Sequence, residues 1–214
     1  MPGSSTTQVV LDLIGIAVGG AAGALTAVRS GMHYMGCLLL GLVTGIGGAL
    51  TRDVLLGAVP PAALTDWRYL TAGLAAALLA QHLHPLLSRV ERVVDLADAV
   101  WLGLFSVAGA LKAVHLGAPP MASVLLGVIT GIGGGVLRDV LVDRKPVVLT
   151  QEIYVLPALL GSLVVVTAPF LGWPSGAATI PGALLCTAVR VVAIRRGWRG
   201  PVVGRRDGAS ESSR

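Results

Sequence analysis

Apolar stretches of about twenty residues alternate along this chain with short segments where Gly, Pro and charged residues gather. A bilayer core takes roughly 20 apolar residues per helix, and the stretches 9–28, 35–57, 67–87, 96–115, 121–142, 152–171 and 176–195 each suit one span. The pattern predicts an all-α integral membrane protein with seven transmembrane helices. Composition agrees: 54% of 214 residues are hydrophobic, 13% are charged and the mean hydropathy is +0.81, far more apolar surface than one soluble core requires. No Lys or Arg precedes the first stretch, and no small-residue cleavage site leads from it into a polar region. It is therefore read as a retained helix rather than a signal peptide.

The pattern is also duplicated. Positions 41–60 and 127–146, displaced by 86 residues, are identical at eleven of twenty sites, ending on Pro60 and Pro146. Asp12 matches Asp98, and Gly23, Gly31 and Gly41 match Gly109, Gly117 and Gly127. Each repeat holds three spans, and three is odd. The second unit must enter the membrane from the opposite side, which makes an inverted pair. The expected organisation is a short N-terminal segment (1–8), a first three-helix unit with its following linker (9–95), a second, inverted unit (96–171), a peripheral seventh helix (172–199) and a disordered basic cytoplasmic tail (200–214).

Within the repeat lies the candidate chemistry. Thr44, Gly45, Gly47 and Gly48 in the second span, and Thr130, Gly131, Gly133, Gly134 and Gly135 in the fifth, form glycine clusters. Each glycine costs on the order of 1 kcal/mol relative to Ala in a soluble helix interior, so both helices are expected to break there. Freed carbonyls, with the threonine hydroxyls beside them, could coordinate a cation. The alternative is that the glycines only let the two helices cross closely. About one turn later come Arg52-Asp53 and Arg138-Asp139. Ionisable groups at membrane depth cost about 2.5–3.5 kcal/mol unless paired or wetted. One member of each dipeptide is expected to line an aqueous path and the other to anchor a neighbouring helix, unless both sit among headgroups at span ends. Lys112, with Thr26 at its repeat position, either faces the path or snorkels outward.

Lys and Arg cluster on one side of the membrane. Arg29, Arg89, Arg92, Arg144, Lys145, Arg195, Arg196, Arg199, Arg205, Arg206 and Arg214 share it, so that side is cytoplasmic by the positive-inside rule and the N-terminus lies outside. The basic tail is read as a topology determinant that attracts anionic lipid, not as a nucleic-acid arm. Trp67, Trp173 and Trp198 at span ends are read as interfacial anchors, and Cys37 and Cys186 as packing residues. A small-residue stripe, Gly15, Gly19 and Gly23, marks the first helix as one that another helix can approach, within or between protomers. His82 and His84 point to different helix faces and make a poor metal site. The glycine motif lacks the third glycine and the βαβ surroundings of a nucleotide loop, and no hydrolase, zinc-protease or dithiol motif occurs. No cofactor, metal or enzymatic activity is expected.

The paired G-G-x-x-x-R-D segments, with the full Gly133-Gly134-Gly135-Val-Leu-Arg138-Asp139 in the second copy and Ala49 as third residue of the first, resemble the prokaryotic branch of the trimeric intracellular cation (TRIC) channel family. Lys145-Pro146 and Tyr154 also look like that family's segment between the fifth and sixth helices. The resemblance covers residues 9–195. It implies a homotrimer in the inner (plasma) membrane with one hourglass pore per protomer, lined by the first, second, fourth and fifth spans and conducting potassium and less selectively sodium. The residues themselves give the pore-like inverted repeat; with the resemblance, the leading reading is a passive monovalent-cation channel, beside a secondary transporter of a small zwitterion such as an amino acid and a structural membrane oligomer.

Overall fold

The computed structural model describes residues 5–86, 90–150 and 152–198; Arg89 and the tail from 199 onward lie outside the described residues. Among them the chain forms nine α-helices and no strand: α1 (Thr6–Arg29), α2 (Tyr34–Leu55), α3 (Ala62–Thr65), α4 (Trp67–Leu83), α5 (Val90–His115), α6 (Pro120–Leu141), α7 (Val147–Thr150), α8 (Val155–Thr167) and α9 (Thr179–Arg196). The helices other than the four-residue α3 and α7 each overlap one expected span. Four of them, α1, α2, most of α5 and α6, are long and apolar enough to cross a membrane by length and composition alone. The apolar run of α8 continues through a 3-10 turn to Leu171.

The starts and stops follow from the local sequence. Ser5 accepts a hydrogen bond from the Gln8 amide at 3.2 Å and caps α1, while His33 Nδ1 accepts from the Gly36 amide at 2.9 Å and caps α2. Pro120 opens α6, where a missing N–H costs nothing. Beyond α2 and α6 the chain turns through the left-handed region at Gly57 (φ 67°) and at its repeat counterpart Asp143 (φ 55°). Between that turn and the next short helix the second repeat is one residue shorter. Pro146 therefore matches Pro61 in space rather than Pro60, and the four-residue helices α3 and α7 fall at equivalent places.

The order α1–α4 recurs as α5–α8, and α9 has no counterpart. Ion pairs fix the relative direction of the two units. Asp12 near the start of α1 meets Arg52 near the end of α2, and Lys112 near the end of α5 joins them through Asp53. Asp98 near the start of α5 instead meets Arg138 near the end of α6. Asp98 and Lys112 are separated by about 21 Å of helix rise at ~1.5 Å per residue, so the second unit runs opposite to the first. The chain is an all-α membrane protein built on an inverted repeat.

At the centre, α1 packs along α2 and α4, α5 along α6 and α8, and the units join through α1 against α5 and α2 against α6. Helix α9 lies on α5 and α8. Its approach to α8 is close: a methyl group on Gly161 would stand 2.9 Å from the Gly182 carbonyl oxygen, and one on Gly182 would stand 2.8 Å from that of Gly161. Exposed Trp67, Trp173 and Trp198 mark helix ends, and Cys37 and Cys186 are buried free thiols.

Candidate functional site

The expected helix breaks do not occur. Both α2 and α6 run as uninterrupted α-helix through Gly45–Gly48 and Gly131–Gly135, so no carbonyl is freed to bind an ion. Instead the glycines remove Cβ where the two helices cross. A methyl on Gly133 would lie 3.3 Å from the Cα of Gly48, and one on Gly47 would lie 3.4 Å from the Cα of Gly134. Gly48 rests on the carbonyl oxygen of Thr130, and Gly134 rests on that of Thr44. These reciprocal contacts have the geometry in which a Cα–H lies against a carbonyl. The threonine hydroxyls donate within their own helices, Thr44 to Leu40 O at 2.6 Å and Thr130 to Leu126 O at 2.5 Å. Gly45 packs against Ile16 and Gly20 of α1, and Gly131 packs against Leu102 and Ser106 of α5. The stripe on α1 is used within the protomer: Gly15 receives Phe105, Gly19 receives Trp101 and Gly23 receives Thr44.

The charged dipeptides lie one turn beyond the crossing, and both are buried within the protein. Arg52 is fully buried. Its Nη1 and Nη2 donate to the two carboxylate oxygens of Asp12 at 2.7 and 3.0 Å, and its Nε donates to Asp53 at 2.8 Å. A bidentate fork of this kind suits a planar guanidinium. The same Asp53 oxygen accepts from Lys112 Nζ at 2.7 Å, and the other accepts from the Ala62 amide at 3.0 Å, which pins the start of α3. Gln8 Nε2 and the Tyr69 hydroxyl complete the shell of Asp12 at 3.1 and 3.4 Å. Lys112 thus neither snorkels outward nor stands free; it is a buried cation that ties the second unit to the first.

The second network repeats this plan with differences. Arg138 donates from Nη1 to Asp98 at 3.0 Å and from Nε to Asp139 at 2.9 Å, and Asp139 accepts from the Val147 amide at 3.0 Å to pin α7. Tyr154, which matches Tyr69 in space, faces Asp98. The position of Lys112 is held here by Thr26, whose hydroxyl donates to Ala22 O at 2.8 Å. A further cation comes from outside the repeat. Arg190 of α9 is buried, lies 4.4 Å above the Tyr154 ring and donates to the Ile153 carbonyl at 3.3 Å.

The sequence pattern names both Arg-Asp dipeptides and Lys112 but leaves Asp12 and Asp98 as repeat markers only. They are the principal partners of the two arginines. An acidic residue inside an apolar span is itself a signal for a functional or pairing role, and its recurrence at the same repeat position doubles it. Arg190, within the seventh span, carries the same signal.

Comparisons with known proteins decide the family. A family model described as glycine transporter matches residues 9–85 and 95–169, one stretch per repeat. Among solved structures, the TRIC channel orthologue from Rhodobacter sphaeroides shares 35% identity at a TM-score of 0.86, over 91% of this chain and 100% of that one. The chain belongs to the TRIC channel family. Another TRIC cation channel structure aligns at a TM-score of 0.81 with 32% identity, over 95% of this chain and 98% of the other. Two curated relatives are named as UPF0126 membrane proteins: one from Deinococcus radiodurans is 38% identical over 90% of each chain, and one from Streptomyces coelicolor is 41% identical over 89% of this chain and 88% of that one. A further relative, from Escherichia coli, is named as an inner membrane protein and is 35% identical over 86% of this chain. TRIC family membership is membership in a channel fold, not an enzyme fold.

Proposed function

We propose that this protein is a homotrimeric channel of the plasma (inner) membrane that conducts monovalent cations, potassium and less selectively sodium, with one path in each protomer. The observation that carries the reading is the alignment to TRIC cation channels at 35% identity across the whole of the solved chain. The path is assigned to the centre of the α1, α2, α5 and α6 bundle. The glycine crossing forms its constriction, and Arg52, Asp53 and Lys112 at one end and Arg138 and Asp139 at the other set the potential of its two mouths. Buried carboxylates paired to arginine hold fixed charge near those mouths, where a low-dielectric wall focuses the field on a passing cation. The N-terminus is placed outside and the tail in the cytoplasm. An engineered Ser210→Cys that reacts with an impermeant thiol reagent in intact cells overturns that placement. At the cytoplasmic end, a cavity of about 510 Å³ between α5 and α9, lined by Asp95, Leu96, Val191, Ile194 and Arg195, suits a lipid headgroup.

A second reading rests on the family model's description, glycine transporter, over both repeats: alternating access for a small zwitterion. Planar-bilayer recording of the purified protein separates the two. Unitary currents in KCl support the channel. Saturable, competable uptake of labelled glycine into liposomes without unitary currents supports the transporter and removes the channel.

A further inference from the structure

We infer that Trp101 is the side chain that occludes the path and sets the size of what passes, an inference that rests on the central bundle being the conducting route. Helix α5 carries Trp101 and Phe105 one turn apart on one face. At the same repeat positions α1 carries Gly15 and Gly19. The inverted, antiparallel crossing brings the two sets together: Phe105 lies beside Gly15, and Trp101 lies beside Gly19, where an added methyl would stand 2.9 Å from the indole Nε1. The aromatic pair of one unit therefore fills the gap left by the glycines of the other. At this point the pseudo-symmetry of the fold is broken, and the centre is closed from one side only.

The indole spans the bundle. From Gly19 on α1 it extends to α6, where added methyl groups on Gly134 and Gly135 would stand 2.7 and 3.3 Å from its six-membered ring. Phe105, with its ring centroid 5.6 Å from that of Trp101, extends toward Gly48 of α2, where an added methyl would stand 3.0 Å away. Together they touch Gly48 and Gly134, the two glycines of the crossing that rest on a carbonyl of the other helix. Trp101 is the largest fully buried side chain among the described residues, with no exposed surface. Yet its indole N–H meets no protein acceptor among the described residues, and buried indole N–H groups ordinarily find a partner. An unpartnered donor in this packing is left desolvated without return. A rotation of the ring out of the crossing would satisfy the donor at a water or at an acceptor oxygen of a passing solute and would open the bundle in the same motion. The occluded arrangement is therefore held by the packing of the ring and opposed by its N–H.

The test uses full-length protein in liposomes, with thallium and labelled glycine as probes, comparing wild type with Trp101→Ala and Trp101→Phe. Removing the ring should raise the flux of at least one probe about tenfold, as expected for a shift of that size in a closed–open balance. Trp101→Phe, which keeps an aromatic plug, should stay within about twofold of wild type by the same reckoning. Where Trp101→Ala does not purify as a monodisperse species, Trp101→Leu takes its place with a smaller rise expected. Flux unchanged from wild type for both probes in a well-folded small-residue variant overturns the inference. So does a Trp101→Phe protein that is leakier than Trp101→Ala, since the size of the side chain left at this position would then not set the flux. A variant that passes glycine while neither protein passes thallium supports the occlusion and removes the cation-channel reading instead.

Discussion

The two charged networks occupy equivalent places in the inverted repeat and share a plan. In each, an arginine links an aspartate on its own helix to one at the start of the preceding long helix, and the adjacent carboxylate pins the amide of a four-residue helix. They differ in how the remaining charge is met. In the first, Arg52 grips Asp12 with two nitrogens and is fully buried, and Lys112 from the opposite unit adds a second cation to Asp53. In the second, Arg138 makes one bond to Asp98 and keeps 4% of its surface. Its extra cation, Arg190, arrives from α9, stacks on Tyr154 and donates to the Ile153 carbonyl. The first network thus holds the two repeats together, whereas the second ties the repeat to the helix outside it. The repeat accounts for the shared part of the plan, and the parts that differ join each network to a different element, α5 in the first and α9 in the second.

The comparison is broken most severely at the arginines. Arg52→Gln leaves Asp12 and Asp53 as buried carboxylates with one remaining cation. Breaking such a pair costs about 3–5 kcal/mol, so the purified protein should lose most of its thermal stability in detergent. Arg138→Gln removes fewer and longer bonds, so its cost should lie at the lower end of that range, about 3 kcal/mol. Melting temperatures of the two variants measured side by side check the ranking. Equal losses would show that the fork on Asp12 adds nothing. Asp12→Asn combined with Arg52→Gln should recover part of the loss, because it removes one uncompensated charge.

Much of this fold was legible in the chain because membrane helices announce themselves by length and the repeat by identity. The inversion followed from counting spans. The glycine clusters are legible, but propensity alone points Gly45, Gly47 and Gly48 to a break, whereas in the bundle the close-crossing alternative holds, because the missing Cβ is offset by contact between backbones. Propensity is a weak prior that packing overrides. Trp101 and Phe105 were not distinguishable from ordinary core aromatics, since their meaning lies in which glycines they meet across the inverted crossing. The one-residue shortening before α7 was hidden by the chance alignment of Pro60 with Pro146, and with it the equivalence of Tyr69 and Tyr154.

A second pair of changes probes the crossing that lies between the networks. Gly48→Ala and Gly134→Ala would each drive a methyl into a backbone carbonyl of the other helix, and overpacking of this kind costs about 1–3 kcal/mol. Gly47→Ala meets the end of the Leu137 side chain first, at 2.6 Å, which can rotate away, so its cost should be under about 1 kcal/mol. Thermal melts of the three variants check this. Indistinguishable values would mean that the helices separate freely at the crossing.

The carboxylates next to the crossing are tested by Asp53→Asn and Asp139→Asn, which preserve shape and remove charge. Each should lower potassium conductance or the preference for cations over anions, with a larger effect at low ionic strength, where the Debye length of about 30 Å at 0.01 M leaves the charge unscreened. Asp139→Asn should have the larger effect on conductance, because Asp53 already shares its charge with Lys112 at 2.7 Å. Intact proteins with wild-type currents in both low and high salt would make the carboxylates structural.

The smallest change converts one network into the other. Lys112→Thr places on α5 the residue that α1 carries at the equivalent position, Thr26. It leaves Asp53 the two contacts that Asp139 also makes, an arginine Nε and one backbone amide. Because Arg52 still bonds both carboxylates, the loss in stability should stay below that of Arg52→Gln, about 1.5–3 kcal/mol, the size of a hydrogen bond to a charged group. The electrical consequence is more specific. With Lys112 present, Asp12 and Asp53 face two cations; without it they face one, and that mouth gains a net negative charge, which raises the local concentration of cations there. Current entering from that side should increase relative to current entering from the other, and the asymmetry should fade as salt rises and screens the mouth. Bilayer recordings in symmetric KCl at two concentrations give the answer. A current–voltage relation unchanged in shape at low salt would show that Lys112 serves only to join the two halves of the fold and leaves the potential of the path untouched.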